Sequence, residues 1–124
     1  MGGAQKMSET IVLVFPRSGI TLDELADSLR TVGTVAVHEK GLTLSHDSDN
    51  CFVVRVDDLE TDGIFEDWET STIPGQCTVF SVDYRSTTLV TSLVKAIARR
   101  REVTVDTNNG LIADGSALVP EMLA

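Results

Sequence analysis

The chain has 124 residues, 42% apolar and 23% charged, a balance that fits one globular domain and excludes a disordered chain. Its 19 acids against 10 Lys and Arg give a formal charge of −9. That excludes a general nucleic-acid binder, which needs a positive face to displace counterions. The longest apolar runs fall far short of the roughly 20 residues a membrane-spanning helix needs.

Residues 1–9 are polar and carry none of the apolar stretch of a secretory signal. Met7 is a candidate native start. Residues 1–9 are therefore set outside the fold, as a disordered or added end, and residues 10–124 form the one domain. The expected location is the cytoplasm.

Residues 11–15 are continuously apolar, which predicts a central strand covered on both faces. Pro16 ends it. Residues 21–32 read as the clearest helix. Thr21 and Glu24 have capping-box spacing, Ile20 and Leu25 can staple, and Leu22, Leu25, Ala26, Leu29 and Val32 share one face. Asp23, Glu24 and Asp27 suit the positive end of the helix dipole. Gly33 is expected as its left-handed stop.

Residues 34–46 read as a hairpin about a Glu39-Lys40 turn, with Val37 opposite Leu42 and Val35 opposite Leu44. All four then share one face, and a one-residue slip would split them between core and water. Gly41 is expected to supply the positive φ that a tight turn can require. Residues 46–50 form a polar turn into 51–56, where Phe52, Val54 and Val56 alternate with Cys51, Val53 and Arg55, as in a half-buried strand. Residues 57–75 are irregular, with one short helical turn around 64–69. Residues 77–84 return to strand.

Ser86 or Thr87 caps a second helix running to about Arg101. Its apolar rows are Leu89, Leu93, Ile97 and Val90, Val94, Ala98. Arg99, Arg100 and Arg101 suit the negative end of its dipole; a contact with the acidic segment of another copy is the alternative use. Residues 103–106 are a strand, Asn109-Gly110 is a hairpin signal, and 111–113 are the return strand. Residues 117–123 form a terminal helical turn limited by Pro120. This order predicts an α+β fold, two helices on one face of a mainly antiparallel sheet, in a ferredoxin-like split βαβ plan with added strands.

Little in the sequence suggests catalysis. His38 and His46 fall near opposite ends of one hairpin, without a Cys or His at ligand spacing. Cys51 and Cys77 have no CxxC spacing and read as reduced, structural residues. Asp47, Asp49 and Asn50 begin like a calcium loop, but Phe52 and Asp58 occupy the positions of its glycine and glutamate. Ser18-Gly19 is an ordinary turn, too short for a dinucleotide fingerprint. No catalytic residue, metal site or cofactor is expected.

The most informative segment is acidic. Between residues 47 and 83 stand Asp47, Asp49, Asp57, Asp58, Glu60, Asp62, Glu66, Asp67, Glu69 and Asp83, opposed by Arg55 alone. Leu59, Ile64, Phe65 and Trp68, the single tryptophan, are interleaved. An apolar anchor inside a one-signed rim suits recognition of a basic protein. The candidate partner-binding residues are Asp57, Asp58, Glu60, Asp62, Phe65, Glu66, Asp67, Trp68 and Glu69. The other reading is a solvated loop whose aromatics fold back on the core.

The basic helix end, then Val103-Thr104-Val105-Asp106-Thr107-Asn108-Asn109-Gly110 and a short tail, resembles the ends of small bacterial polymorphic-toxin immunity proteins. The likeness runs from Thr88 onward. Ala113-Asp114-Gly115 stands where that pattern has a Pro-Gly turn. The resemblance implies a cytoplasmic protein that binds and silences one toxin domain; it carries over no binding residue. The expectation is a non-enzymatic immunity protein acting by acidic-surface blockade. Phe65 and Trp68 would supply contact, and Asp62, Glu66, Asp67 and Glu69 the complementary charge. The alternative is a small-ligand-sensing or oligomerising ferredoxin-like module without catalysis. An exposed Trp68 favours the first. A buried Trp68 beside a closed apolar pocket favours the second, or a plain core. The oligomeric state is left open.

Overall fold

In this computed structural model the apolar run near the start forms β1 (Glu9–Phe15), paired on both sides as a central strand. The structure describes residues 9–57, 65, 68, 71, 73–107 and 111–123. Alternation along β1 sends Ile11, Leu13 and Phe15 to one face and Val12 and Val14 to the other. Val14 is only 1% exposed, so both faces of this strand are covered. Glu9 already pairs with Tyr84, so the sheet takes in a residue expected to lie outside it.

The other strands are β2 (Thr34–Val37), β3 (Gly41–His46), β4 (Asp49–Val56), β5 (Thr78–Tyr84), β6 (Thr104–Asp106) and β7 (Ile112–Asp114). They lie in the order β2-β3-β4-β5-β1-β6-β7, and every pairing is antiparallel. Because β5 and β6 both run against β1, they are parallel to each other. The helix α2 (Thr87–Ala98) connects them across it. The helix α1 (Leu22–Leu29) connects β1 to β2 at the sheet's far edge.

Both helices pack on the face that carries Ile11, Leu13, Leu42, Leu44, Val53 and Val82, all fully buried. Leu25 and Leu29 of α1 and Leu93 and Ile97 of α2 complete that core. The protein is therefore α+β, with two helices against an antiparallel sheet. Among the described residues no helix is long and apolar enough to cross a membrane.

The helix starts follow the sequence. The Thr21 hydroxyl accepts the Glu24 N–H at 3.2 Å, and the Glu24 carboxylate accepts the Thr21 N–H at 2.8 Å, completing the capping box. Ser86 caps α2 by accepting the Leu89 N–H at 3.1 Å. The helix ends come early. α1 stops at Leu29 rather than Val32, and α2 at Ala98 rather than near Arg101. In each case a right-handed cap residue, Arg30 or Arg99, bonds back into the last turn.

The hairpin register is the expected one: Val37 opposite Leu42 and Val35 opposite Leu44. Three details differ. Gly33 and Gly41 do not adopt a left-handed backbone, as only Gly19 does among the described glycines. Their role is close approach. A Cβ on Gly33 would stand 2.3 Å from the Ser45 carbonyl oxygen, and one on Gly41 2.3 Å from that of Val53. Val37 shares the side of Leu42 but is 43% exposed, because it ends an edge strand beyond the helix layer. The polar turn contracts to Asp47 and Ser48, with Asp47 at φ 54, and β4 starts at Asp49.

At the other edge, Thr107 N–H bonds the Leu111 carbonyl at 2.8 Å and closes the β6–β7 hairpin. Asn109 and Gly110 lie outside the described residues. The tail forms two 3-10 turns, Gly115–Ala117 and Pro120–Leu123. Leu118 between them is fully buried in the core.

Candidate functional site

The face of the sheet away from the helices is where the acidic segment is anchored. Strand parity puts Val12, Val14, Val79, Ser81, Thr104 and Asp106 on that face. Asp106 accepts the indole N–H of Trp68 at 2.8 Å. Phe65 meets the Trp68 ring edge-on, with centroids 4.9 Å apart, a preferred aromatic geometry. The backbone N–H of Trp68 donates to the Phe65 carbonyl at 3.1 Å, a second link between the two residues. Phe65 sits at φ 72, a backbone region bulky side chains rarely adopt. Such strain persists only where surrounding contacts hold it.

Both aromatics are half-buried. Trp68 is thus neither fully exposed nor a core residue: its indole ties the acidic segment to β6, and part of its surface stays open. Sequence reasoning missed its partner, Asp106. The available signal was parity: in Val103-Thr104-Val105-Asp106 the valines face the core, so the aspartate faces away from it.

Asp57 stands exposed at the entrance of the segment, and its carboxylate lies 3.3 Å from Nε of Arg55. Both groups are about half exposed or more, so the pair adds little stability. Asp58, Glu60, Asp62, Glu66, Asp67 and Glu69 lie outside the described residues, as do Leu59 and Ile64. Nearer the hairpin, the same open face presents Phe52, 42% exposed, with the His38 ring 6.4 Å away.

The remaining candidates sit apart from one another. His38 Nε2 is 3.1 Å from the Thr43 hydroxyl. His46 Nδ1 is 3.6 Å from Asp47, at the opposite end of β3. Among the described residues no three metal-ligating side chains gather. Both thiols are free. Burial, with the Asp49 charge adding to it, pushes the Cys51 thiol up to about 12. Burial also raises Cys77. A protonated thiol is a poor nucleophile and a poor metal ligand.

The arginines after α2 diverge. Arg99 and Arg100 are exposed, whereas the Arg101 side chain is 17% exposed and lies 3.7 Å from Glu24. The Thr21 N–H, aided by Arg101 and Arg17, holds the Glu24 carboxyl below its ordinary value. This contact joins the start of α1 to the end of α2. No family model, curated protein or solved structure matches the chain.

Proposed function

We propose that this is a non-enzymatic binding protein, an immunity protein that neutralises a bacterial toxin by laying its acidic segment against a basic groove. The observation that carries this reading is the Trp68–Asp106 hydrogen bond with Phe65 packed edge-on, which ties the segment to a rigid sheet at a defined point. Binding segments held by rigid scaffolds are a common arrangement. Seven acids stand between Asp57 and Glu69 without one Lys or Arg, and such a field steers a basic partner into contact. The exposed parts of Phe65 and Trp68 supply the apolar centre of the contact. On this reading the protein acts in the cytoplasm on a basic protein, without metal or cofactor and without touching nucleic acid or membrane. The fold is proposed as a ferredoxin-like split βαβ, made of β1, α1, β4, β5, α2 and β6, with the β2–β3 hairpin inserted and β7 appended.

The test is to express the product of the reading frame beside this gene alone, where toxicity is expected, and then together with this chain. Growth is restored by the wild-type chain, and the two proteins purify together. Trp68→Ala speeds dissociation, with a loss on the order of 2 kcal/mol for a central anchor. A toxin that stays active beside the folded wild-type chain, or a Trp68→Ala variant that dissociates at the same rate, contradicts the proposal.

A further inference from the structure

A groove of about 710 Å³ lies on the helix side of the sheet, between α2 and the tip of the β3–β4 hairpin. That is within the range of small-molecule sites, roughly 300–1,000 Å³. The fold gives its two walls opposite charge. On one wall, His46 pairs with Asp49 across the hairpin, so both share the face of Leu44 and Cys51. Alternation would place apolar residues there, yet the row ends in an imidazole and a carboxylate, with Asp47 at the turn beside them. On the other wall, α2 presents Thr88, Ser92, Lys95 and Arg99 at successive spacings of four, three and four, which is one row of a helix. The floor includes Val32, Leu89 and Ala96.

The charges do not meet. Lys95 and Arg99 make no ion pair among the described residues, although the chain has a large excess of acids. Among the described residues Asp49 makes none either, and the ion pair of Asp47 is with His46. Lys95 and Arg99 on one side and Asp47 and Asp49 on the other therefore line one open groove, with Leu89 and Ala96 among the residues between them.

We infer that this groove is a binding site for an elongated small zwitterion, its carboxylate on Lys95 and Arg99 and its ammonium group on Asp47 and Asp49. The apolar floor receives a methylene stem between the two ends. A molecule with only one of the charges satisfies one wall and leaves the other unpaired. The site lies on the opposite side of the sheet from Trp68 and does not rest on the toxin-blockade reading, so either can fail alone.

The experiment is an amide-resolved NMR titration of the full chain with ε-aminocaproate, against caproate and hexylamine as single-charge controls. The zwitterion shifts amides of Asp49, Ser92 and Lys95, and each control binds at least about tenfold more weakly. Lys95→Ala and Asp49→Asn, both exposed positions, each weaken ε-aminocaproate by about tenfold while the remaining spectrum keeps its dispersion. No shift at groove amides up to tens of millimolar ligand, equal binding of the controls, or unchanged binding by both folded variants overturns the inference.

Discussion

The tether between Trp68 and Asp106 can be measured directly. Trp68→Phe keeps an aromatic ring beside Phe65 and removes the indole N–H with the five-membered part of the ring, while Asp106→Ala removes the acceptor; the double variant separates the bond from the lost packing. A hydrogen bond to a charged group contributes about 1.5–3 kcal/mol when well shielded. Both partners here are half-buried, which places the bond at the low end, so the expected coupling in a double-mutant cycle is about 1.5 kcal/mol. The assay is urea unfolding of the wild type, both single variants and the double variant, followed by circular dichroism. Fluorescence adds a second readout, because Trp68 is the single tryptophan. Asp106→Ala should shift its emission toward that of a solvated indole before the sheet unfolds. Distant sites add within about 0.3–0.5 kcal/mol, so a coupling below that band, with unshifted emission, would refute the tether.

Leu93→Ala empties a fully buried site and should cost about 2–5 kcal/mol by chemical unfolding; a cost under about 0.5 kcal/mol contradicts the packing of α2 on the sheet. Gly41→Ala and Gly41→Asn should both destabilise by about 1–3 kcal/mol or more, since either Cβ meets the Val53 carbonyl. Gly75→Ala, with open space around it, should change little, and a well-tolerated Gly41→Asn would instead point to a left-handed backbone. Unfolding frees the Cys51 thiol to ionise near 9, whereas in the fold it does so only near 12. Its contribution is therefore complete below pH 9 and is lost as pH rises toward 12. Cys51→Ala should flatten that decline in a pH series of unfolding curves, leaving the smaller part due to Cys77 and Tyr84, whose raised values act in the same sense. An unchanged slope would show that Cys51 does not carry it.

The elements most legible in the sequence were those fixed by local chemistry or strict period. The capping box at Thr21 and Glu24 and the Val35–Leu44 and Val37–Leu42 register needed only spacing and alternation. The misread glycines show the limit. A glycine demanded by φ and one demanded by a neighbouring strand look identical in sequence. At Gly33 and Gly41 the cause is a carbonyl contributed by residues 12 positions further on. Helix ends were overrun for a related reason: Val32 and Arg101 continue the periodic pattern, while the chain must already turn toward β2 and β6. The candidate site was legible as a concentration of charge around two aromatics. Its attachment was not, because the Trp68–Asp106 contact spans 38 residues and depends on which strand lies beside β1. The bipolar groove was equally hidden, since its walls come from the hairpin tip and α2, and they meet only when both rest on one sheet.

If the acidic segment engages a basic protein through its charge, as proposed, the association rate shows it. That rate is to be measured across a salt series for the wild type and the Glu66→Lys, Asp67→Lys double variant, with the product of the neighbouring reading frame as the partner tested. Seven unopposed acids predict a wild-type rate that falls steeply with salt. The variant should associate more slowly with a flatter salt dependence, at an unchanged or slightly higher melting temperature. Equal rates and equal salt slopes for the two folded proteins would show that the acidic segment does not steer the partner.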